Sequence, residues 1–162
     1  MIGKKIRVFL DTTYIMPLFG IETDKFSRKD LAKLLNIKNM CFLVSLVSLI
    51  EIKWIIISKT RKNMKLRKTL REKYSKGLDV LYYKSKIKIL SLITPEIDEI
   101  ENKLLDFGLS DYFDRIIFSM AFHEADILLT EDQEIHSVWK DHQDIFEGLV
   151  VISWEHFFQK FK

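Results

Sequence analysis

Leu109 to Ile135 reads LSDYFDRIIFSMAFHEADILLTEDQEI, and the order of its parts decides the fold. A helix from about Asp111 to His123 runs into a short apolar strand, Ile127 to Thr130, which stops at the acidic pair Glu131-Asp132. Helix, buried strand and polar strand end in succession are the signature of a parallel sheet covered by helices.

The pattern recurs in both directions along the chain. Ile6 to Leu10 (IRVFL) is rich in β-formers and ends abruptly in Asp11-Thr12-Thr13, so it predicts a buried strand that delivers Asp11 to a loop. Lys25 to Asn36 predicts a helix with Phe26, Leu31, Leu34 and Leu35 on one face, its start supported by Ser27 and Asp30. Met40 to Val44 is a second strand; Ser45 then caps a helix that carries Glu51 in its second turn. Lys59 to Tyr83 predicts a long basic helix or a helical pair, with Gly77 as a break. Ile87 to Leu92 is a third strand. Thr94-Pro95-Glu96 starts a helix and Gly108 ends it, because threonine caps, proline suits the first helical position and glycine accepts the left-handed stop. Leu149 to Ile152 is a fifth strand, with a terminal helix from Ser153. The expected architecture is a three-layer α/β/α sandwich around a mainly parallel five-stranded sheet, in one domain spanning residues 1–162.

Composition excludes other classes. Hydrophobic residues make up 48% and charged residues 30% of 162, which is too apolar for a disordered chain. No apolar run reaches bilayer-spanning length, and the N-terminus lacks the pattern of a secretory signal, so a cytoplasmic protein without membrane association is expected. The single cysteine, Cys41, lies in an apolar stretch and reads as a buried small hydrophobe. The net charge of +3 conceals an asymmetry: Lys59 to Lys88 holds 12 basic residues against Glu72 and Asp79, while the remainder is acidic. A basic arm on an acidic body suits a polyanion meeting a metal-dependent site, because bare carboxylates would repel phosphate. A solvated lysine-rich helix is the plainer reading.

In parallel α/β sheets, function gathers beyond the carboxyl ends of the strands. Asp11 and Asp132 fall there, Glu51 lies early in the helix after the second strand, and Asp114 lies in the first turn of the helix before the fourth. Two carboxylates about 4 Å apart repel by roughly 4 kcal/mol at an effective dielectric near 20. A hard divalent cation turns that cost into coordination. Each acid also has a plainer reading: Asp11 as a turn or cap, Asp111 and Asp114 as a capping box, Glu51 paired to Lys53 or an arginine, and Asp132 as a loop acid interchangeable with Glu131.

Taken in order, FLDTTYIM at Phe9 to Met16, VSLVSLIEI at Val44 to Ile52, the opening segment, and VVISWEHFF at Val150 to Phe158 resemble the PIN-domain family of metal-dependent ribonucleases, which includes the VapC-type toxins. The resemblance implies that Asp11, Glu51 and Asp114 are the three principal acids and Asp132 the fourth. It implies Mg²⁺ or Mn²⁺ as cofactor and RNA as substrate, with the chain a toxin or an RNA-processing nuclease. An antitoxin protein and a second copy of the chain are the implied partners. Thr12 or Thr13 matches the position after the first acid, and Thr130 the hydroxyl two before the fourth. Thr13 and Thr130 are expected to orient ligands, and Arg61, Lys65, Arg67, Lys68 and Arg71 to contact the nucleic-acid backbone. The basic stretch at Lys59 to Tyr83 is longer than in compact toxin members.

Competing chemistries fail on particular residues. A haloacid-dehalogenase-like phosphatase needs an aspartate where Thr13 stands, and a receiver domain needs a phosphoacceptor that Ile87 to Pro95 does not offer. No glycine-flanked serine elbow or glycine-rich phosphate loop is present, and His123, His136, His142 and His156 lack zinc spacing. The alternative from a different class is a PIN-like module with weak catalysis that acts as an RNA-binding or protein-interaction subunit.

Overall fold

The computed structural model describes residues 5–161. Five short runs of β-formers pair side by side: β1 (Ile6–Leu10), β2 (Met40–Ser45), β3 (Ile87–Leu90), β4 (Ile127–Leu129) and β5 (Val150–Ile152), in the order β3-β2-β1-β4-β5. Every pairing is parallel, as the helices between strands require. The helices are α1 (Thr12–Ile15), α2 (Arg28–Leu35), α3 (Leu46–Lys59), α4 (Met64–Tyr83), α5 (Pro95–Asp106), α6 (Tyr112–Glu124), α7 (Gln133–Asp141) and α8 (Trp154–Phe161), with a 3₁₀ turn at Met16–Phe19.

Strand alternation divides the core into two layers. Val8, Leu10, Ile127 and Leu129 point to one face, under Ile15, Leu31, Ile52, Leu81 and Phe157 of the helices there. Phe9, Leu43, Leu128 and Val151 point to the other, under Ile97, Leu104, Ile117, Met120 and Ile135. The chain runs outward from β1 to β3, then crosses to β4 on the far side of β1, so a crevice opens between the carboxyl ends of β1 and β4.

Several expectations change in detail. Helix α2 starts at Arg28 rather than Lys25, because Ser27 and Asp30 form a reciprocal capping box there. The third strand ends at Leu90, which pairs with the last residue of β2, Ser45; beyond it the edge has no partner, and Leu92 and Ile93 are exposed. Cys41 is half-buried. The basic stretch divides at Thr60 to Asn63, so Lys59 closes α3 and only the first turns of α4 stand clear of the body. Farther along α4, Leu70, Tyr74, Gly77, Leu78 and Leu81 join the core. The apolar setting of Glu51 is also only partly core, since Leu46, Ile50, Trp54 and Ile57 form an exposed row on α3.

Gly77 does not break α4. It lets the helix approach the 3₁₀ turn: a Cβ there would lie 2.6 Å from Phe19 Cδ1 and 2.8 Å from the Leu18 carbonyl oxygen. Gly77→Ala therefore sets a helix-propensity gain of about 1 kcal/mol against overpacking of about 1–3 kcal/mol. One of these blocking atoms, the Leu18 oxygen, is backbone and cannot rotate aside. Urea unfolding is expected to show net destabilisation of about 1–2 kcal/mol; a more stable variant would mean the turn gives way.

Candidate active site

Sheet register builds the site. Leu10 pairs with Val44 on one side and Leu129 on the other, so the next row across the strand ends is Asp11, Ser45 and Thr130. Thr130 Oγ1 donates to Asp11 Oδ2 at 2.7 Å, and the Thr12 amide donates to Oδ1 at 2.6 Å. Asp11 is thus the N-cap of α1 and a fixed acceptor in the crevice at once. Next to it, Thr12 Oγ1 donates to Glu51 Oε2 at 2.5 Å. The partner that the acid of α3 needed is this hydroxyl; Lys53 instead lies over the Tyr74 ring, at 4.5 Å.

Asp111 caps α6 by accepting from the amides of Phe113 and Asp114 at 2.8 and 3.2 Å. Among the described residues only that half of the capping box forms, and the Asp114 carboxylate lines the pocket instead. Asp132 caps α7 through Glu134 and Ile135, at 2.8 and 2.9 Å. The capping and site readings of these acids are therefore one arrangement. In a parallel α/β fold the helix N-termini converge beyond the strands, and their partial positive charge favours carboxylates there.

The result is an open pocket of about 280 Å³ lined by Asp11, Thr12, Thr13, Glu51, Asp114, Glu131 and Asp132. Among the described residues no basic side chain is in that lining, and three of its acids are raised above the usual carboxylate range. Burial, then Asp11, Asp111, Asp132 and Glu51, push Asp114 up to about 8. Burial raises Asp11 against the lowering effect of its bonds from Thr130 and Thr12, and it raises Glu51 likewise. The donors are all hard oxygens, but among the described residues no three carboxylates have converged to coordination spacing. Such a set fits a hard divalent ion that keeps waters between itself and part of its ligands.

A PIN-domain family model matches residues 8–140, which spans every pocket acid. The chain belongs to the PIN-domain family. No curated protein sequence matches it. Three solved structures share the fold of this PIN domain. VapBC2 from Rickettsia felis, bound to a DNA fragment from their promoter, is 20% identical over 92% of this chain and 99% of that one, with a TM-score of 0.60. PAE2754 from Pyrobaculum aerophilum is 14% identical over 98% and 92%, with a TM-score of 0.61. FitAcB from Neisseria gonorrhoeae is 15% identical over 92% and 99%, with a TM-score of 0.60. PIN domains are generally nucleases.

Within the PIN domain the two acids that end β4 have different surroundings. Glu131 Oε1 accepts from the Tyr14 hydroxyl at 2.5 Å and from the Trp154 amide at 2.8 Å, so it ties α1 to the start of α8. Among the described residues Asp132 has no tie beyond its own cap and the Thr130 hydroxyl that its amide donates to. Thr12 rather than Thr13 makes the hydroxyl bond to an acid; Thr13 lines the pocket without one. Tyr14, Trp154 and His136, which contacts the Thr130 carbonyl at 3.0 Å, are supports that sequence reading missed. Only Tyr14, three residues past Asp11, carried a positional hint. Arg67 folds back on the end of α3, donating to the carbonyls of Thr60 and Arg61 at 2.9 Å each. Arg61, Lys65, Lys68 and Arg71 remain exposed. No helix among the described residues is long and apolar enough to cross a membrane.

Proposed function

We propose that the pocket is the active centre of a Mg²⁺- or Mn²⁺-dependent endoribonuclease that hydrolyses RNA phosphodiester bonds. One observation carries this reading: Asp11, Glu51, Asp114 and Asp132 arrive from four separate segments at one pocket without a lining cation, and three of them are raised by burial and by each other. A bound ion would supply charge neutralisation for the scissile phosphate and a more acidic water. Asp11, Glu51 and Asp114 would hold it, directly or through water, and Asp132 would complete the pocket. Thr130 and Thr12 fix the carboxylates of Asp11 and Glu51, so those oxygens need no reorganisation when the ion enters. Glu131 is a structural tie rather than the fourth acid, since both its bonds lead away to α1 and α8.

The family resemblance and the fold shared with VapBC2 support a role as the toxin of a toxin–antitoxin pair, acting on cytoplasmic RNA. The deciding experiment incubates the full chain with a fluorogenic RNA in Mg²⁺, in Mn²⁺ and in chelator. Cleavage in either ion and none in chelator is expected. RNA binding without cleavage in any condition would make the protein a binding module instead.

The exposed cations of α4 supply the backbone contacts. Lys68 and Arg71 line an open groove with Met64, Glu72, Ser75 and Arg67, whose guanidinium is also held by the end of α3. Replacing Lys65, Lys68 and Arg71 with glutamine should lower the salt slope of single-stranded RNA binding by about 2, at roughly 0.7 per phosphate contact. An unchanged slope would remove the arm from the RNA path.

A further inference from the structure

Arg115 follows Asp114 directly, yet it points the other way, into the α5–α6 interface. Both it and Glu101 of α5 are 7% exposed, which makes theirs the most deeply buried ion pair among the described residues. Arg115 Nε donates to Glu101 Oε1 at 2.5 Å, and Nη1 donates to the carbonyls of Leu109 and Ser110 at 3.0 and 2.7 Å. The Tyr112 ring lies over the guanidinium, 5.5 Å away. One side chain thus joins α5, the link between the helices and the first turn of α6.

We propose that the Glu101–Arg115 pair is a positioning clamp for the active centre, holding the 107–111 link so that Asp111 and Asp114 keep their place at the pocket. Two arguments lead there. The link ends in Asp111, whose carboxylate holds the amides of Phe113 and Asp114, so a shift of the link passes to both acids. Second, a buried ion pair is a poor source of stability: its desolvation offsets its attraction, and an apolar pair of similar volume often does as well or better. What an apolar pair cannot do is hold the Leu109 and Ser110 carbonyls. The clamp acts mechanically, because Glu101 neutralises the charge of Arg115.

The consequence for metal binding rests on the active-centre reading; the placement of the turn does not. The test compares the full chain with Glu101→Leu/Arg115→Met and with Arg115→Lys, which keeps the charge opposite Glu101 but loses the fork that reaches both carbonyls. Amide hydrogen exchange is read in chelator, and Mn²⁺ affinity by the electron-spin-resonance signal of free ion. In the double variant the Phe113 and Asp114 amides should exchange at least about tenfold faster, with those of Ile117 to Ala121 unchanged. Mn²⁺ affinity should fall about 10- to 100-fold, the usual range for a lost outer support of a metal site. A folded double variant with parental exchange at Phe113 and Asp114 overturns the clamp. If the double variant does not fold, Arg115→Lys decides: faster exchange confined to 113–114 supports the clamp, and parental exchange overturns it. If the parent binds no Mn²⁺, the active-centre reading fails by itself, and exchange alone judges the clamp.

Discussion

Asp11→Asn is expected to lower Mg²⁺-dependent RNA cleavage by at least about 10³-fold while leaving the fold as stable as before or more so. The opposite signs come from one fact. Asp11 is buried, and its burial holds its carboxyl above the usual range even though Thr130 and the Thr12 amide both donate to it. Asparagine keeps an acceptor for the amide and can turn its NH₂ toward the Thr130 hydroxyl, so the geometry survives while the charge is lost. The loss should exceed the 10- to 100-fold typical of an outer support, because Asp11 is proposed to face the ion itself. Thr130→Val supplies that lower bracket: it leaves the Asp11 carboxyl in place but frees one oxygen. Initial rates on a fluorogenic RNA and thermal midpoints in chelator measure both effects. Asp11→Asn activity within tenfold of the parent would remove Asp11 from the centre.

The acids were legible because strand ends are legible. An apolar run that stops at a polar residue marks where β1 leaves the sheet, and that alone placed Asp11 at the crevice. The cap chemistry of Ser45, Thr94 and Asp111 was equally local and was found where expected, whereas Ser27 starts its helix three residues later than the Lys25 expected. What sequence could not give was the lateral order of strands. Thr130 meets Asp11 only because β4 crosses to lie against β1, a non-local pairing with no local trace. For the same reason the choice between Glu131 and Asp132 stayed open: Glu131 is held by Tyr14 and Trp154, which are remote from it along the chain. Helix α7 was missed although Asp132 caps it and Ile135 and Val138 give it a buried side. An acid just past a strand reads as a ligand or a loop residue as readily as a cap. Gly77 failed differently, since a helix-breaking residue and a close-packing residue look alike until the opposing turn is in place.

The same cluster predicts how stability responds to pH. Asp114 titrates near 8 in the folded protein against 3.8 ordinarily. Between about pH 4 and pH 8 the folded state therefore keeps a proton that the unfolded chain has released. Stability rises with pH only where the unfolded state binds more protons, so here it must fall across that window and level off above it. Asp11 and Glu51 are raised too and add in the same direction. Asp114 is partly open to solvent, and screening there keeps the effect below its Coulombic maximum. In chelator, a fall of about 5 °C or more in the thermal midpoint from pH 5 to pH 8 is expected, a few degrees per kcal/mol being usual at this size. Asp114→Asn should flatten the profile, and the difference between parent and variant isolates the contribution of that acid. Millimolar Mg²⁺ should raise the midpoint at pH 8 and do little at pH 5, because a ligand that needs the ionised cluster stabilises only where ionisation is being opposed. If parent and Asp114→Asn instead show the same pH profile in chelator, the carboxylates are not crowded enough to require a cation, and the case for a metal centre loses its physical basis.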